Sequence, residues 1–184
     1  MTKFKYWDEE LQREIRDHFA HDENGILYHK THSIHKGKFA PGDIVKTHVG
    51  SQRGHLSIWL YLGNGVKYKL YVHRVVWFLE HGYQVAIIDH IDQNVLNNAP
   101  RNLREATNQE NKRNQGKIKN VGGRYKGAYR ASSAMKSKPW ICKVRIDGKT
   151  KHFGYFATEE EAARKYDEVA KTLYGEFAVL NFPE

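Results

Sequence analysis

The sequence predicts an α+β protein built from two parts. Several segments carry apolar residues at helical spacing, short strand-like runs lie between glycine turns, and the basic charge is concentrated in one stretch of the chain. With 184 residues, 40% of them hydrophobic, the chain is long enough for one average domain and a compact module. We therefore expect a mixed first part joined to a smaller basic module.

The first predicted elements are a helix and a group of strands. Leu11, Ile15 and Phe19 recur at helical spacing and predict an amphipathic helix over residues 8–19. Short apolar runs between glycines then predict a small antiparallel meander, with strands at residues 26–28, 44–45, 55–62 and 67–72. Residues 73–81 follow as a buried helix that Gly82 ends.

The middle of the chain is predicted to place polar residues after a strand. The β-run at residues 85–88 leads directly to Asp89-His90, and an asparagine-rich loop follows. Thr107 and Glu110 have the spacing of a capping box, so a helix should begin there and carry Asn111 in its first turn.

The C-terminal module is predicted to be a three-stranded sheet with one helix. The strand candidates are residues 125–130, 140–146 and 151–156. Asp147-Gly148 predicts a hairpin turn between the last two strands. Thr158 and Glu161 form a second capping box, which begins a helix that ends before Gly175.

The composition excludes several classes of protein. Cys142 is the single cysteine, which excludes an intrachain disulfide and zinc sites built on cysteine pairs. The longest apolar stretches, such as residues 75–79, are far shorter than a membrane span, and the first ten residues lack the apolar core of a signal peptide. We therefore expect a cytoplasmic protein without a membrane partner.

The net charge of +9 is distributed unevenly. Residues 111–154 hold thirteen basic side chains and one acidic side chain, whereas residues 1–110 are nearly neutral and residues 155–184 are acidic. Basic side chains interleaved with aromatic ones can neutralise and contact a phosphate backbone, so nucleic acid is the predicted partner. A merely solvated basic face is the alternative, and a membrane-surface helix is disfavoured because the block has no helical stripe.

Asp89, His90 and Asn111 combine oxygen donors and an imidazole. Oxygens of Asp and Asn suit Mg²⁺ or Mn²⁺ better than zinc. Hydrolysis of a phosphodiester needs an activated water and relief of charge on the leaving oxygen, which a histidine and a divalent metal can supply. Taken alone, a strand-end hydrogen bond for Asp89 and a helix-surface amide for Asn111 are the simpler interpretations.

A longer pattern extends over residues 68–115. Its members, in order, are His73-Arg74, Asp89-His90-Ile91-Asp92, Leu96-Asn97-Asn98, Asn102-Leu103-Arg104, Asn111 and Asn114. This order and spacing resemble the HNH endonucleases of phages and mobile introns. The resemblance implies a ββα-metal fold that binds one divalent ion, Mg²⁺ or Mn²⁺, per active site.

The same resemblance implies a role for each matching residue. Asp89 and Asn111 correspond to the metal ligands, His90 to the general base, and Asn102 to the residue that braces the loop and orients the histidine. The implied reaction cleaves double-stranded DNA and leaves 5′-phosphate and 3′-hydroxyl ends. The sequence departs from the family in the loop, where Gln93 occupies a position that is commonly glycine.

Residues 123–183 carry an independent pattern. Its members are Tyr125-Lys126-Gly127, Trp140, Phe153-Gly154-Tyr155-Phe156, Glu160-Glu161-Ala162-Ala163, Tyr166-Asp167 and Leu180-Asn181-Phe182-Pro183. They resemble the Apetala-type DNA-binding domain of plant ethylene-response factors, whose three-stranded sheet lies in the major groove. The candidate DNA contacts are Lys126, Arg130, Trp140, Lys143, Arg145, Lys149 and Lys151. Lys143 and His152 differ from the common residues, so the plant sequence preference is not carried over.

Four segments summarise the prediction. They are an N-terminal helix and β-meander extension (1–67), an HNH unit (68–115), a basic linker (116–122) and a DNA-binding domain (123–184). We expect a homing-type, phage-encoded nicking endonuclease that acts as a monomer on DNA in a bacterial host. The alternatives are a sequence-specific DNA-binding regulator with a degenerate HNH scaffold and, on charge alone, an RNA-directed protein.

The remaining histidines and tryptophans are predicted to have other roles. His29, His32 and His35 recur at every third residue between lysines, which favours a phosphate-contacting or solvated loop over a metal site. We expect His73 to make a structural hydrogen bond and the tryptophans to serve mainly in packing.

Overall fold

A computed structural model describes residues 5–32, 38–50, 54–62, 65–114, 123–131 and 137–183. The fold is of the mixed α+β type, as predicted. The chain divides into two compact units, Met1–Ala106 and Thr107–Glu184. The predicted linker at 116–122, His35 and part of the basic block lie outside the described residues.

The first unit begins with a helix and a short hairpin. Helix α1 spans Glu9–His18, and Asp8 caps it because its Oδ1 accepts a hydrogen bond from the Leu11 amide at 2.9 Å. Strand β1 (Phe19–His21) then pairs antiparallel with β2 (Leu27–His29). The helix was predicted, whereas β1 was not, because three residues are too short to show a periodicity.

A second antiparallel sheet contains the later part of the predicted meander. It contains β3 (His48–Val49), β4 (Leu56–Tyr61) and β5 (Lys67–Tyr71) in the order β3-β4-β5. The strands predicted at 55–62 and 67–72 are thereby confirmed. The strand predicted at 44–45 is wrong, because Ile44 makes only an isolated bridge to Tyr28.

The elements that carry the polar motif follow directly. Helix α2 spans Val72–His81 and ends at Gly82, whose φ of 79° is the left-handed conformation that glycine adopts readily. Strand β6 (Ile88–His90) pairs antiparallel with β7 (Leu103–Glu105). The strand predicted at 85–88 therefore begins three residues later than expected and includes Asp89 and His90 themselves.

The core of this unit lies between α1, α2 and the two larger strands. Phe78, Val75 and Val76 of α2 are fully buried and share one apolar cluster with Ile15 and Ile58. Each side chain of this size contributes roughly 1.5–3 kcal/mol through burial. The apolar face of α2 therefore fixes the start of the polar motif against the sheet.

The second unit contains two helices and a three-stranded sheet. Its elements are α3 (Asn108–Asn114), β8 (Ala128–Arg130), β9 (Trp140–Ile146), β10 (Lys149–Phe156), α4 (Glu159–Tyr174) and a short 3-10 turn at Gly175–Phe177. The strand order is β10-β9-β8, entirely antiparallel. Helix α4 covers one face of the sheet, where Cys142, Val144, Tyr166 and Ala170 form a buried cluster.

Both capping boxes and the hairpin turn are confirmed. Thr158 accepts a hydrogen bond from the Glu161 amide at 3.2 Å, and the Glu161 side chain reaches back to the Thr158 amide. Asp147 and Gly148 have φ values of 47° and 78°, the conformation of a tight hairpin turn. Gly127 has a separate role, because a side chain there would overlap the Tyr166 ring.

Among the described helices, none combines the length and the apolar character that crossing a bilayer requires.

Candidate active site

The Asp89-His90 pair lies on a two-stranded ladder in the first unit. In this ladder Asp89 is opposite Arg104 and His90 is opposite Leu103. Both polar side chains are buried, with exposed fractions of 5% and 4%. Arg104 donates hydrogen bonds from Nε and Nη2 to Asp89 Oδ2, at 3.0 and 2.9 Å. The register thus pairs the buried carboxylate with a cation, and His90 occupies the next position of the strand.

Asn98 is the side chain that orients His90. His90 Nε2 lies 3.2 Å from Asn98 Oδ1. Asn98 donates from Nδ2 to the Leu96 carbonyl at 3.3 Å, so its Oδ1 faces the histidine as an acceptor. This network assigns the proton of His90 to Nε2 and the lone pair to Nδ1.

The surroundings of His90 suit a proton acceptor. Burial lowers the pKa of His90 below the ordinary histidine value, and the hydrogen bond to Asn98 and the carboxylates of Asp92 and Asp89 offset only part of this. The imidazole is therefore neutral at physiological pH. A neutral imidazole can take a proton from water, which is the property that a general base requires.

Asn102 braces the loop that follows His90. It donates from Nδ2 to Asp92 Oδ1 at 2.9 Å and to the Asn97 carbonyl at 2.8 Å, and its Oδ1 accepts from the Asp92 amide at 3.1 Å. Burial opposes ionisation of Asp92, but the side-chain amides of Asn97 and Asn102 outweigh it and lower the pKa of Asp92. Asn102 thus contacts the loop, whereas Asn98 contacts the histidine.

The unusual residue in this loop has a clear conformational reason. Gln93 adopts a φ of 64°, in the left-handed region that favours glycine. This explains why a glycine is common at the corresponding position of the HNH endonucleases. The chain keeps the turn despite a side chain that makes this conformation less favourable.

The N-terminal turn supports the same loop from the other side. Gly25, with a φ of 75°, packs so closely that an added side chain would overlap the Asn98 carbonyl. Arg101 donates to the Glu23 carbonyl at 2.8 Å and contacts Asn24 Oδ1 at 3.4 Å. Part of the predicted N-terminal extension therefore positions the residue that orients His90.

Two further histidines approach His90. His55 precedes β4 and His73 lies in the first turn of α2, and the three ligand nitrogens all lie within 4.8 Å of one another. Burial lowers the pKa of His73 well below the ordinary histidine value, and the neighbouring His55 and His90 lower it further. At His73, where we expected a structural hydrogen bond, the buried Nδ1 has no partner among the residues that the structure describes.

Asn111 lies on α3 in the second unit. The α3 helix begins with the predicted capping box, in which Thr107 Oγ1 accepts from the Glu110 amide at 3.2 Å and Glu110 Oε2 accepts from the Thr107 amide at 2.7 Å. The Arg113 guanidinium lies 4.8 Å from the centre of the Tyr174 ring. These contacts attach α3 to its own unit. That Asn111 and Asp89 bind the same metal ion stays a prediction.

The candidate DNA contacts divide between the two faces of the second sheet. Residues directly opposite each other in an antiparallel pair share a face. Lys151 is opposite Val144 and Lys149 is opposite Ile146, which places these lysines on the face that α4 covers further along. Lys143 and Arg145 alternate with Val144 and therefore lie on the other face.

Arg130 and Trp140 are also opposite each other, and Trp140 packs against the alanine cluster under α4. Lys126 lies near both helices, because its Nζ is 5.9 Å from the centre of the Tyr166 ring of α4 and donates to the Arg113 carbonyl of α3 at 2.8 Å. Burial lowers the pKa of Lys126 to about 8. The predicted DNA contacts thus do not form one continuous surface.

The remaining histidine, tryptophans and cysteine differ in their surroundings. His29 stacks on Phe39, with ring centroids 3.6 Å apart, and burial lowers its pKa. Trp77 is buried in the first core, whereas Trp59 is exposed. Burial raises the pKa of the Cys142 thiol to about 11, so the thiol stays protonated at physiological pH.

Comparison with known proteins supports a nuclease. Residues 70–113 match the family model described as an HNH endonuclease. An uncharacterised HNH endonuclease of Acanthamoeba polyphaga mimivirus is 35% identical over 116 residues, which is 61% of this chain and 58% of the viral protein. The match to the family model contains Asp89, His90, Asn102 and Asn111.

The C-terminal similarity is shorter. Dehydration-responsive element-binding protein 2E of Oryza sativa subsp. japonica is 48% identical over 46 residues, and protein 2A of Arabidopsis thaliana is 46% identical over 46 residues. Each match covers 24% of this chain and 14% of the plant protein. The chain thus spans little of these plant proteins, and they support a DNA-binding module only weakly.

Proposed function

We propose that the protein is a metal-dependent HNH endonuclease that nicks double-stranded DNA. The observation that carries the proposal is His90, a buried neutral imidazole that is hydrogen-bonded to Asn98 and follows Asp89 in β6, inside the segment that matches the HNH model. The resemblance to phage and intron enzymes and the viral relative favour a homing-type enzyme carried by a virus or phage. Each chain has one proposed general base, which favours cleavage of one DNA strand at a time by a monomer.

In the proposed reaction, His90 removes a proton from a water molecule through Nδ1. The oxygen of that water attacks the phosphorus of the scissile phosphodiester, and the bond from phosphorus to the 3′ oxygen breaks. The phosphate stays on the 5′ end, and the departing 3′ oxygen takes a proton from solvent to become a hydroxyl. His90 then returns its proton to solvent, so that the cycle closes without net change in the protein.

Asp89 and Asn111 are the proposed ligands of one Mg²⁺ or Mn²⁺ ion. The buried carboxylate of Asp89 fits such an ion, because hard divalent cations prefer oxygen donors. When bound, the ion neutralises charge on the phosphate and on the leaving 3′ oxygen. Arg104 forms an ion pair with Asp89 and is a source of positive charge in addition to the metal ion.

The second unit is the proposed source of affinity for duplex DNA. Lys143 and Arg145 lie on the sheet face opposite α4, where the side chains can reach a phosphate backbone or a groove. Lys126, Arg130, Trp140, Lys149 and Lys151 are proposed to contribute from the edges and from the other face. Phosphate contacts of this kind fix position on DNA, whereas His90 acts on one scissile bond.

Relaxation of supercoiled plasmid tests this function. The full chain is incubated with Mg²⁺, Mn²⁺ or EDTA, and the nicked ends are tested for sealing by DNA ligase, which requires 5′-phosphate and 3′-hydroxyl ends. We expect open circles with either metal, none with EDTA, and ligase-sealable nicks. Relaxation that persists in EDTA would contradict metal dependence, and linear product at first contact would contradict nicking.

A DNA-binding regulator is the second candidate. One observation favours it: Asp89 Oδ2 accepts two hydrogen bonds from Arg104, as the oxygen of a purely structural carboxylate would. In that case the chain would bind duplex DNA with Mg²⁺ present and leave it intact. The plasmid assay, run together with a binding measurement on the same DNA, separates the two candidates.

A further inference from the structure

Three imidazoles from separate parts of the first unit converge on one point. His55 precedes β4, His73 begins α2 and His90 ends β6. The ring centroids are 4.7 Å apart for His55 and His73, 5.6 Å for His55 and His90, and 5.4 Å for His73 and His90. One nitrogen from each ring lies within 4.8 Å of the other two.

This arrangement is costly unless a ligand joins it. His73 and His90 are buried, and His55 is partly buried beside them. His73 Nδ1 has no hydrogen-bond partner among the described residues, and a buried polar atom left unpaired is destabilising. Three imidazoles that lie this close together offer several nitrogen ligands in a small volume, and a borderline-soft cation binds such ligands well.

We propose that His55, His73 and His90 form a binding site for a transition-metal ion of the Zn²⁺ class, and that an ion held there inhibits the nuclease. Imidazole nitrogens select zinc, cobalt, nickel and copper over Mg²⁺, so this site differs in chemistry from the proposed Asp89 and Asn111 site. Zinc bonds to histidine nitrogen are about 2.0–2.1 Å long, which places tetrahedral ligand atoms roughly 3.4 Å apart. The three nitrogens lie within 4.8 Å of one another, so they would have to move closer together to bind one ion.

Inhibition follows from the dual use of His90. A nitrogen lone pair that coordinates a metal cannot also accept a proton from water. A metal ion bound to His90 therefore prevents it from acting as the general base. The inhibitory part of this inference rests on the proposed function, whereas the binding part does not. The two parts therefore need separate measurements.

Binding is measured by titration of the full chain with Co²⁺ in the presence of excess Mg²⁺, followed by visible absorption. Excess Mg²⁺ occupies oxygen sites, and Co²⁺ bound by several nitrogens in a low-coordinate site absorbs far more strongly than hydrated Co²⁺. We expect a band that saturates at one equivalent in the wild type. His55→Ala and the conservative His55→Gln should lose the band, and His48→Ala, which replaces an exposed histidine of the same sheet, should keep it.

Circular dichroism shows whether each variant is folded, and only variants with the wild-type spectrum are compared. A wild-type chain without a saturable band would overturn the metal site. An unchanged band in both folded His55 variants would overturn it as well, since the ion would then be bound elsewhere.

Inhibition is measured as plasmid nicking in excess Mg²⁺, with and without one equivalent of Zn²⁺ over protein. We expect Zn²⁺ to slow the wild type at least tenfold and His55→Gln less than twofold, each relative to its own rate without Zn²⁺. Equal slowing of both would overturn inhibition through this site. Binding of Co²⁺ by a chain that never nicks DNA would overturn the inhibition and the proposed function while upholding the metal site.

Discussion

The hydrogen bond from His90 to Asn98 determines which imidazole nitrogen can act as the base. Asn98→Ala removes the acceptor, so the ring can rotate or exchange its proton between nitrogens. We expect the cleavage rate at saturating DNA to fall about 10-fold to 100-fold, because small misplacements of a catalytic group have effects of this size. The DNA concentration for half-maximal rate should not change, since Asn98 is a positioning residue. Single-turnover cleavage measures both quantities.

Two further variants control this prediction. Asn98→Asp keeps an oxygen acceptor and should retain most of the rate, whereas Asn94→Ala changes an exposed asparagine of the same loop and should have little effect. Equal losses in Asn98→Ala and Asn98→Asp would show that the loop, and not the acceptor, is what matters.

Lys126 makes the stability of the second unit depend on pH. Burial lowers its pKa from 10.5 to about 8, so between these values the unfolded chain binds more protons than the folded chain. The free energy of unfolding should therefore rise with pH from about 8 to about 10.5. In Lys126→Met this contribution is absent, and we expect a difference of about 1 kcal/mol across the window because the side chain is only partly shielded.

Urea unfolding at pH 7, 8, 9 and 10 measures this effect as the difference between wild type and Lys126→Met. Subtracting the two free energies of unfolding removes the contribution of the other titrating groups. One of these groups is Tyr166, because burial raises its pKa. A difference that is constant over this range would mean that the amine is as well solvated in the folded chain as in the unfolded one.

The sequence could predict the Asp89-His90 pair but not all of its surroundings. The pair is contiguous, so its order and spacing identify it. The role of Asn98 was missed because one of several asparagines in a loop carries no signal of which one meets the histidine. The approach of His55 and His73 depends on the packing of β4, α2 and β6, which no local pattern encodes.

At the scale of elements, the turn at Gly25 braces the loop that carries Asn98. Gly25→Ala forces a side chain against the Asn98 carbonyl and should destabilise the first unit by about 2 kcal/mol or more, as overpacked sites do. Gly42→Ala is a matched control, because Gly42 also has a positive φ, of 91°, but nothing lies within 4 Å of the added atom. Thermal unfolding and the cleavage rate of both variants test the brace.

If the two substitutions destabilise the protein equally, the loss comes from placing alanine at a positive φ and not from the packing of Gly25. This backbone effect is roughly 1 kcal/mol. A larger loss of stability and of cleavage in Gly25→Ala alone is the result that the packing predicts.

The elements that were predicted correctly are those with chemical end signals. Thr107 with Glu110 and Thr158 with Glu161 mark two helix starts, and Asp147-Gly148 marks the hairpin. Strands β1 and β3 were missed because two or three residues show no alternation. The strand predicted at 85–88 was placed too early because apolar residues precede the buried polar ones that form β6.

At the scale of the whole molecule, the concentration of positive charge predicts binding that weakens steeply with salt. Each phosphate contact contributes a slope of about −0.9 to a plot of log affinity against log salt concentration. Substitution of Lys143 and Arg145 together by alanine should reduce the slope by about 2 if both contact phosphate. Fluorescence anisotropy with labelled duplex DNA at several salt concentrations measures it.

The matched control is the double alanine variant of Lys149 and Lys151, which removes the same charge from the other sheet face. We expect this variant to change the slope by less than half as much. A larger effect from Lys149 and Lys151 would show that DNA approaches the second unit from the side of α4.

We infer that His90 acts as the general base on bound DNA. The most direct measurement compares wild type and His90→Ala in single-turnover cleavage with Mg²⁺, at a DNA concentration where anisotropy shows both proteins saturated. We predict equal binding and a rate at least 100-fold lower for His90→Ala, the scale of a lost general base. Equal cleavage by the two proteins, or intact DNA with tight binding by both, would contradict the account.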